Sequence, residues 1–346
     1  MGWGHFTKVA HIACVTLLAA SALPAARTAG WQWETLPAGA KAPAIPVDNA
    51  MTAARVALGR RLFYDADLSL DGTMSCSTCH EQKRGFTDGN RTHAGVSGED
   101  GVRNVQGLAN VAWRSPLTWA DAQLTTLEQQ AMVPIAGEHP IEMGMKDGEA
   151  EIARRLGADA CYPRMFAVAF PKSGAHIGFR EVGMALAAFE RSLVSTNSPH
   201  DRFRAGKAEA LSPLAKRGAV QFATGCASCH NGPDLTDNAY HYVGTGNGTK
   251  ASLYGGPQVD TAEPAPVSAA DQFRTPPLRN VAVTGPWLHD GSAASIEDAI
   301  RRHAPTALVN AEMPALLAFL DAQTDASFLA DPRFARPANA CTIAAR

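Results

Sequence analysis

Two short strings of this sequence share the pattern Cys-x-x-Cys-His and lie 150 residues apart. The residues concerned are Cys76, Cys79 and His80 in the first string, and Cys226, Cys229 and His230 in the second. This spacing is typical of a covalently bound c-type haem, whose vinyl groups form thioethers with the two thiols while the His binds iron. With 7 Cys and 11 His in the chain, chance would give about 0.005 such strings. We therefore predict two c-type haems.

Two other uses of paired cysteines fit the sequence less well. A zinc site shared by the two cysteine pairs would have to bridge a gap of 150 residues, far beyond the spacing of zinc fingers and ribbons. A thioredoxin-like redox pair would need a strand–helix–strand pattern, which neither string has.

Each haem string follows a stretch with apolar residues at helical spacing. These stretches are "AARVALGRRLFYD" before the first string and "SPLAKRGAVQFATG" before the second. Ser212 with Pro213 is a typical helix start, and Gly225 is a typical stop. No segment alternates as a strand, and the Gly/Pro-rich stretch 244–268 is typical of a long loop. The prediction is a mainly α protein with two tandem cytochrome c-like haem domains and long loops.

The similarity between the two halves extends beyond the haem strings. Each half contains Arg-Asn-Val, then a Trp, then a Thr/Ser-Leu/Ile-Glu segment that opens a helix. Thr125 with Glu128, and Ser295 with Asp298, are the predicted N-terminal caps of these helices. We place the domains at 45–195 and 205–325, with the junction within 192–210.

Aligning the two halves on their shared Glu exposes one difference. His303 lies six residues after Glu297, whereas Pro134 lies six residues after Glu128. If this helix faces the haem, His230 and His303 both bind the second iron and the first iron is held by His80 alone. An open iron can react with peroxide or oxygen, while a bis-imidazole iron only passes electrons. The alternative is that His303 is a cation near the last helix carbonyls.

The N-terminus carries the features of a secretory signal. Lys8 precedes an apolar run over residues 9–20, and small residues follow it. We predict a signal peptide at 1–28, with a buried N-terminal helix as the alternative, and therefore a periplasmic protein. No other stretch is long and apolar enough to predict stable membrane insertion. The net charge of −2 without a Lys/Arg run argues against nucleic acid as a partner.

Two cysteines remain once the haem strings and the signal are set aside. These are Cys161 and Cys341. An oxidising compartment would let them pair, but their separation in space is not given by the sequence, so the disulfide stays open at this point.

The chain resembles the bacterial dihaem cytochrome c peroxidase and MauG superfamily over nearly its whole mature length. The resemblance rests on "CSTCHEQKRGFTDG", "RNVQGLANVAW…TLEQQA…PIEMG", "CASCH", "FRTPPLRNVAVTGPWLHDG" and "EMPALLAFLDAQT". It implies that the tail 326–346 packs back on the first domain, which would favour pairing of Cys341 with Cys161. The family usually has a distal His sixteen residues after the first proximal His. Here that position is Val96, which favours an open first haem, although His93 nearby remains a second candidate ligand.

The resemblance also implies roles for other residues. Glu142 corresponds to the family's acid–base for peroxide cleavage, with Pro134 beside it in the distal pocket. Trp119 corresponds to the electron-relay Trp between the haems. His303 stands where peroxidases have Met and MauG has Tyr, a departure that weakens the ordinary peroxidase interpretation. The implied ligands of one calcium ion between the haems are Asn104, Thr284 and Pro286.

Three functions follow as hypotheses. The first is a MauG-like enzyme that uses hydrogen peroxide to form a high-valent haem state and oxidises a Trp or Tyr of a periplasmic partner protein by long-range electron transfer. Within it, the dihaem proteins of methanobactin operons, which serve copper homeostasis and convert Trp to kynurenine, are the finer resemblance. The second is a cytochrome c peroxidase supplied with electrons by a small cytochrome or cupredoxin. The third is an electron carrier without peroxide activity.

Overall fold

The computed structural model describes residues 1–2, 31–33, 36, 40–242, 272–303 and 312–338, to which every structural statement below refers. The chain divides into two compact units, Met1–Gly30 and Trp31–Arg346. The fold described here is that of the second unit. The predicted signal peptide falls almost wholly outside the described residues.

The described part of the second unit is mainly helical, as predicted. Its helices are α1 Ala53–Phe63, α2 Cys76–Cys79, α3 Leu127–Gln130, α4 Met132–Ala136, α5 Glu149–Ala158, α6 Cys161–Ala169, α7 Phe179–Arg191, α8 Pro199–Arg204, α9 Pro213–Gly225, α10 Ile296–His303, α11 Met313–Asp321 and α12 Ala326–Leu329. Short 3-10 turns lie at Ala66–Leu68, Gln82–Arg84, Val111–Trp113, Ala208–Ala210 and Val281–Val283. None of these helices is long and apolar enough to cross a bilayer.

One small sheet was not expected from the sequence. Strands β1 Tyr240–Tyr242 and β2 Gln272–Arg274 pair antiparallel, with His241 opposite Phe273. They flank the Gly/Pro-rich stretch that was predicted to be loop throughout. The expectation of no strand was wrong here because three-residue strands are too short to show alternation.

The same helix crossing occurs twice, once in each half. Helix α1 crosses α7 at Gly59, where an added Cβ would lie 1.8 Å from the carbonyl oxygen of Ala185. Helix α9 crosses α11 at Gly218, where the corresponding distance to the Ala315 oxygen is 1.9 Å. Both crossings need Gly because the backbones touch. The repeat predicted from the haem strings therefore includes the helices that carry them.

The helix starts agree with the sequence in two cases and differ in a third. The Ser212 hydroxyl accepts from the Ala215 amide with Pro213 in the first turn, and Ser295 accepts from the Asp298 amide. Helix α3 is capped by Thr126, which accepts from Gln129, so the prediction of Thr125 was wrong. Two adjacent threonines have equal capping propensity, and only the chain path selects one.

The sequence offset between equivalent residues of the two halves is not constant along the chain, and it changes between the haem strings and the later helices. Asn110 and Asn280 both have left-handed backbone (φ 56° and 59°), and a 3-10 turn follows each. They are structurally equivalent, so the Arg-Asn-Val segments that both halves share do not occupy equivalent positions. In this register Trp119 and His289, each nine residues further on, are equivalent positions.

A buried ionic network joins elements from both halves. The Arg279 guanidinium donates to both carboxylate oxygens of Asp201 at 2.7 and 3.0 Å and to Asp234 at 2.9 Å. The side-chain amide of Asn110 also donates to Asp234, at 2.7 Å. Because Arg279 and Asp201 are both buried, each needs the other to offset the loss of hydration.

Residues near the C-terminus pack on the first helix. Phe328 and Phe334 belong to the same apolar cluster as α1 and α7. The Tyr64 hydroxyl donates to the Phe334 carbonyl at 2.7 Å, and Arg60 donates to the Ala335 carbonyl at 2.7 Å. The domain limits inferred from the sequence stay a prediction.

Cys161 is disulfide-bonded. The four cysteines of the haem strings form no disulfide, so the partner of Cys161 is not among the described residues. Cys341, the predicted partner, is among the residues not described.

Candidate functional site

The first Cys-x-x-Cys-His string forms helix α2 and ends at an oriented His. The Nδ1 atom of His80 lies 2.7 Å from the carbonyl oxygen of Phe86, whose left-handed backbone (φ 67°) turns that carbonyl toward the ring. Burial lowers the pKa of His80, which favours the neutral imidazole that binds metals. With Nδ1 engaged, Nε2 is the atom left for iron.

The second string repeats this arrangement. His230 Nδ1 lies 3.0 Å from the carbonyl oxygen of Leu235, which again has left-handed backbone (φ 56°). Burial lowers the pKa of His230 to about 4. Phe63 lies 6.3 Å from the His80 ring and Phe222 lies 6.4 Å from the His230 ring. Both sites thus have the same proximal geometry.

The sites differ in what faces the proximal ring. His303 ends helix α10, and its Nδ1 lies 2.6 Å from the Ala299 carbonyl oxygen. The ring centres of His303 and His230 are 6.4 Å apart. Two imidazoles on opposite sides of one metal, with metal–nitrogen distances of about 2 Å, have ring centres about 6 Å apart. The pair fits a bis-imidazole iron.

No imidazole makes ring contact with His80 among the described residues. The three positions predicted to form the distal side of the first site are joined by backbone hydrogen bonds. The amide next to Glu142, that of Met143, donates to the Pro134 carbonyl at 2.9 Å, and the Val96 amide donates to the Glu142 carbonyl at 2.8 Å. Burial raises the pKa of the Glu142 carboxyl, opposed by the nearby charge of His93.

An Asp–His pair stands beside each haem string. His93 Nδ1 lies 2.7 Å from the Asp88 carboxylate, and hydrogen bonds to Asp88 and Cys79 raise the pKa of His93 to about 10. His241 Nε2 lies 2.7 Å from the Asp237 carboxylate. The ligand atoms of Cys229, Asp237 and His241 all lie within 4.8 Å of one another, which is close enough for the three side chains to hold a metal ion. Because Cys229 belongs to a haem string, this cluster is not a separate metal site.

A cavity of 390 Å³ extends from the second string toward the first half, within the range of ligand pockets. Its lining includes all three predicted calcium ligands, the relay Trp and both facing imidazoles: Asn104, Thr284, Pro286, Trp119, His230 and His303. The structure thus gathers these residues around one cavity. Pro134 and Glu142 lie outside its lining.

Trp119 and its structural equivalent His289 both bind the backbone of Asn104. Trp119 Nε1 donates to the Asn104 carbonyl at 2.8 Å, and the Asn104 amide donates to the His289 carbonyl at 2.9 Å. The His289 ring stacks on Phe273 at 3.5 Å. The backbone of Asn104 therefore links residues of both halves beside the cavity.

Two buried arginines in the cavity lining were missed in the sequence. Arg114 and Arg274 donate only to carbonyl and amide oxygens, and neither forms an ion pair with a described residue. Burial lowers the pKa of Arg114 to about 9 and that of Arg274 to about 10. Buried cations need an anionic partner, and the carboxylates of a haem supply one. The signal for Arg274 was present in "FRTPPLRN".

The two proximal imidazoles, the facing His and the two cavity cations are the side chains expected of a protein that binds two haems. Residues 53–209 match the family model of the di-haem cytochrome c peroxidases. Over 256 residues the chain is 36% identical to the methylamine utilization protein MauG of Methylorubrum extorquens, covering 73% of this chain and 69% of that protein. The chain belongs to the di-haem cytochrome c peroxidase/MauG family.

Other relatives agree with this assignment. The chain is 33% identical to the cytochrome c551 peroxidase of Pseudomonas aeruginosa, covering 79% of this chain and 76% of that one. A crystal structure of a MauG-like protein associated with microbial copper homeostasis superposes with a TM-score of 0.78 at 36% identity, covering 89% of this chain and 99% of that chain. The protein is accordingly a haem-dependent oxidoreductase of the dihaem peroxidase type, and its family binds two haems.

Proposed function

We propose that this protein is a MauG-like enzyme that uses hydrogen peroxide to oxidise a Trp or Tyr side chain of a separate partner protein. The observation that carries the proposal is the difference between the two sites. The His230 ring is in contact with the His303 ring, whereas the ring that contacts His80 among the described residues is that of Phe63. The Glu142 carboxyl lies near Cys76 of the first string, and His93 lies near Cys79. One site is therefore suited to storing charge and the other to reacting with peroxide.

The residues proposed to hold the haems are those of the two strings. Cys76 and Cys79 form thioethers with one haem, Cys226 and Cys229 with the other, and His80 and His230 bind the irons. Each haem, when bound, supplies an iron that exchanges electrons with peroxide or with the other site. Overall, hydrogen peroxide accepts two electrons and two protons to give two waters, and the electrons come from the partner's side chain.

Glu142 is the proposed acid–base at the first site. Its carboxyl takes a proton from one peroxide oxygen and delivers it to the leaving oxygen. The pKa of the carboxyl is raised by burial, so the group can hold a proton closer to neutral pH than an exposed Glu. Pro134 occupies the position equivalent to His303 and, having no side-chain donor, leaves room for peroxide.

Trp119 and the calcium ligands are assigned to the region between the haems. Trp119 is buried and hydrogen-bonded to the Asn104 backbone, so its indole is fixed in one orientation beside the cavity and suits an electron relay. Oxygen atoms of Asn104, Thr284 and Pro286 are the proposed ligands of one calcium ion, which prefers such hard donors.

The finer assignment concerns copper. A structural neighbour at 36% identity is associated with microbial copper homeostasis, and His303 departs from the Met and Tyr of the wider family. We therefore infer that the partner is a protein of copper homeostasis, and that conversion of Trp to kynurenine is its modification. This change removes four electrons from the Trp, so it consumes two molecules of hydrogen peroxide; two oxygen atoms are added as the indole ring opens, and hydrolysis then releases one carbon as formate. The proposed location of both proteins is the periplasm, because the first 28 residues have a signal pattern.

The test is to incubate the purified holoprotein with peroxide and with products of neighbouring genes, and to measure intact masses. We expect a mass change in one partner that depends on peroxide. Glu142→Gln should slow the reaction of the ferric protein with peroxide by about 10²–10⁴-fold. The matched control is Glu138→Gln, because Glu138 lies in the same loop, is exposed and pairs with Lys146.

A peroxide-detoxifying cytochrome c peroxidase is the second candidate, supported by the 33% identity to the Pseudomonas aeruginosa enzyme. It predicts rapid turnover with a reduced small cytochrome or cupredoxin as donor. Such turnover with no partner modified would overturn the first proposal. If neither a donor nor a partner were oxidised, the protein would be an electron carrier.

A further inference from the structure

Helix α7 carries a buried carboxyl group that the proposed mechanism does not use. Glu190 is 6% exposed, and its Oε2 atom has no hydrogen-bond partner among the described residues. An ionised carboxylate without partners is costly to bury, whereas a neutral carboxylic acid costs much less. Such an orphaned oxygen in a native fold calls for an explanation.

Glu190 lies beside the first haem string. Burial raises the pKa of the Cys76 thiol, and the carboxylate of Glu190 is the next largest contribution in the same direction. The preceding residue on α7, Phe189, contacts Phe63 at 5.2 Å, and Phe63 in turn contacts His80 at 6.3 Å. The carboxyl therefore lies next to the attachment point of the first haem.

The duplicated helix crossing supplies an internal comparison. Ala185 and Phe189 of α7 occupy the positions of Ala315 and Phe319 of α11, as the contacts of Gly59 and Gly218 show. The residue after Phe319 is Leu320, which is buried. The first site thus has an acid where the second site has an aliphatic side chain.

Burial raises the pKa of Glu190 to about 8. Arg191 on the same helix opposes the shift and Glu128 on α3 adds to it. Arg191 is engaged with Glu128 at 2.8 Å, so it offers no direct ion pair to Glu190. The group is therefore poised to respond to a change of charge nearby.

We propose that Glu190 is the proton-exchanging group of the first haem site, protonated when the iron is reduced and ionised when it is oxidised. When one electron leaves the site for an external acceptor, the O–H bond of Glu190 breaks and the proton goes to solvent, so the local charge stays constant. The reverse occurs on reduction. At the second site the equivalent position is Leu320, a buried aliphatic side chain that cannot exchange a proton.

The test is a redox titration of the holoprotein at several pH values, with each haem followed by its own absorption. No peroxide and no partner are needed, so failure here is distinguishable from failure of the proposed function. We expect the reduction potential of the first haem to fall as pH rises through the carboxyl pKa of about 8, while that of the second stays flat. Infrared difference spectra should show loss of a protonated carboxyl band on oxidation.

Two variants separate this role from a structural one. Glu190→Gln keeps the size of the side chain and should abolish both the pH dependence and the carboxyl band. The matched variant in the other half, Leu320→Glu, should introduce a pH dependence at the second haem. A pH dependence that persists in Glu190→Gln, or a wild-type infrared spectrum without the band, would overturn the proposal. If both variants fail to fold, the spectrum of Glu142→Gln decides the question, because Glu142 is the other buried carboxyl near Cys76: a band that persists there supports Glu190, and a band that is lost there overturns the proposal.

Discussion

The imidazole rings of His230 and His303 face each other with centres 6.4 Å apart and planes inclined by 62°. Each ring has its Nδ1 engaged by a backbone carbonyl, that of Leu235 for His230 and that of Ala299 for His303. Engagement of Nδ1 fixes both rings with Nε2 free, the arrangement that precedes metal binding. At the first site His80 has the same contact of Nδ1 with a backbone carbonyl, and no second imidazole ring contacts it in the described part of the chain.

Replacing His303 by Ala should open the second haem. We expect the low-spin signal of that haem to become high-spin in the ferric protein, because one axial ligand is lost. His303→Met should keep six ligands and raise the reduction potential. The control is His241→Ala, since His241 also lines the cavity but binds Asp237. A low-spin signal that survived in His303→Ala would remove His303 as the ligand. Electron paramagnetic resonance measures this directly.

Gly59→Ala should destabilise the fold through the α1–α7 crossing. The new Cβ would lie 1.8 Å from the Ala185 carbonyl oxygen, so the helices must separate at a cost of about 1–3 kcal/mol or more. Gly218→Ala should act alike at the second crossing. Gly157→Ala in α5 is the control, because its Cβ would meet no atom within 4 Å, and it should stabilise by about 0.5–1 kcal/mol. Urea unfolding of the three variants tests this, and equal effects would contradict it.

Asp201→Asn should remove part of the acid sensitivity of the protein. Burial alone would raise the pKa of Asp201, but the hydrogen bonds and charge of Arg279, together with hydrogen bonds from Ser198, outweigh it and the pKa is lowered. The pair therefore contributes stability above the unfolded pKa of about 4, and this is lost as pH falls through the lower folded value. Breaking it at neutral pH should cost about 3–5 kcal/mol.

The comparison for Asp201→Asn is Glu297→Gln, which removes an exposed pair with Arg301 and should cost less than about 1 kcal/mol. Thermal unfolding between neutral and acid pH measures both. An Asp201→Asn protein with unchanged acid sensitivity would show that Arg279 does not control this carboxyl.

Cys161→Ser should lower the stability of the oxidised protein by about 2–4 kcal/mol, the usual contribution of a disulfide. Cys341→Ser should have the same effect, and the double variant no more than either single one, if Cys341 is the partner. Unfolding with and without a reductant measures this. Different melting temperatures for the two single variants would point to another partner for Cys161.

The haem strings and their local surroundings were largely predictable from the sequence. The helix over "SPLAKRGAVQFATG" begins at Pro213 with Ser212 as cap and ends at Gly225, because capping and helical spacing are local properties. The cap of α3 was missed by one residue, since Thr125 and Thr126 differ only in the path of the chain. The β1–β2 pair was missed because its partners lie far apart in sequence and each strand is only three residues long.

The buried charges of the site depended on distant parts of the chain. Arg274 lies 160 residues beyond Arg114, and no local pattern places both in one cavity. The equivalence of Trp119 with His289 appeared only from the left-handed backbone that Asn110 and Asn280 share. The equivalence of Glu190 with Leu320 appeared only from the helix crossings at Gly59 and Gly218. Insertions between the haem strings and the later helices shift that register, so the Arg-Asn-Val letters that both halves share do not mark equivalent residues.

By itself the sequence determined the mainly helical class, and it predicted haem attachment at the two Cys-x-x-Cys-His strings and the contrast between Pro134 and His303, because these depend on residue type and short spacing. The tertiary structure alone decided which side chains face one another. It brought His303 to His230, enclosed Arg114 with Arg274, and left Glu190 buried beside Cys76. Which side chains contact one another, and how deeply the charged ones are buried, depends on packing between segments that are distant in sequence. No local sequence pattern predicts such packing.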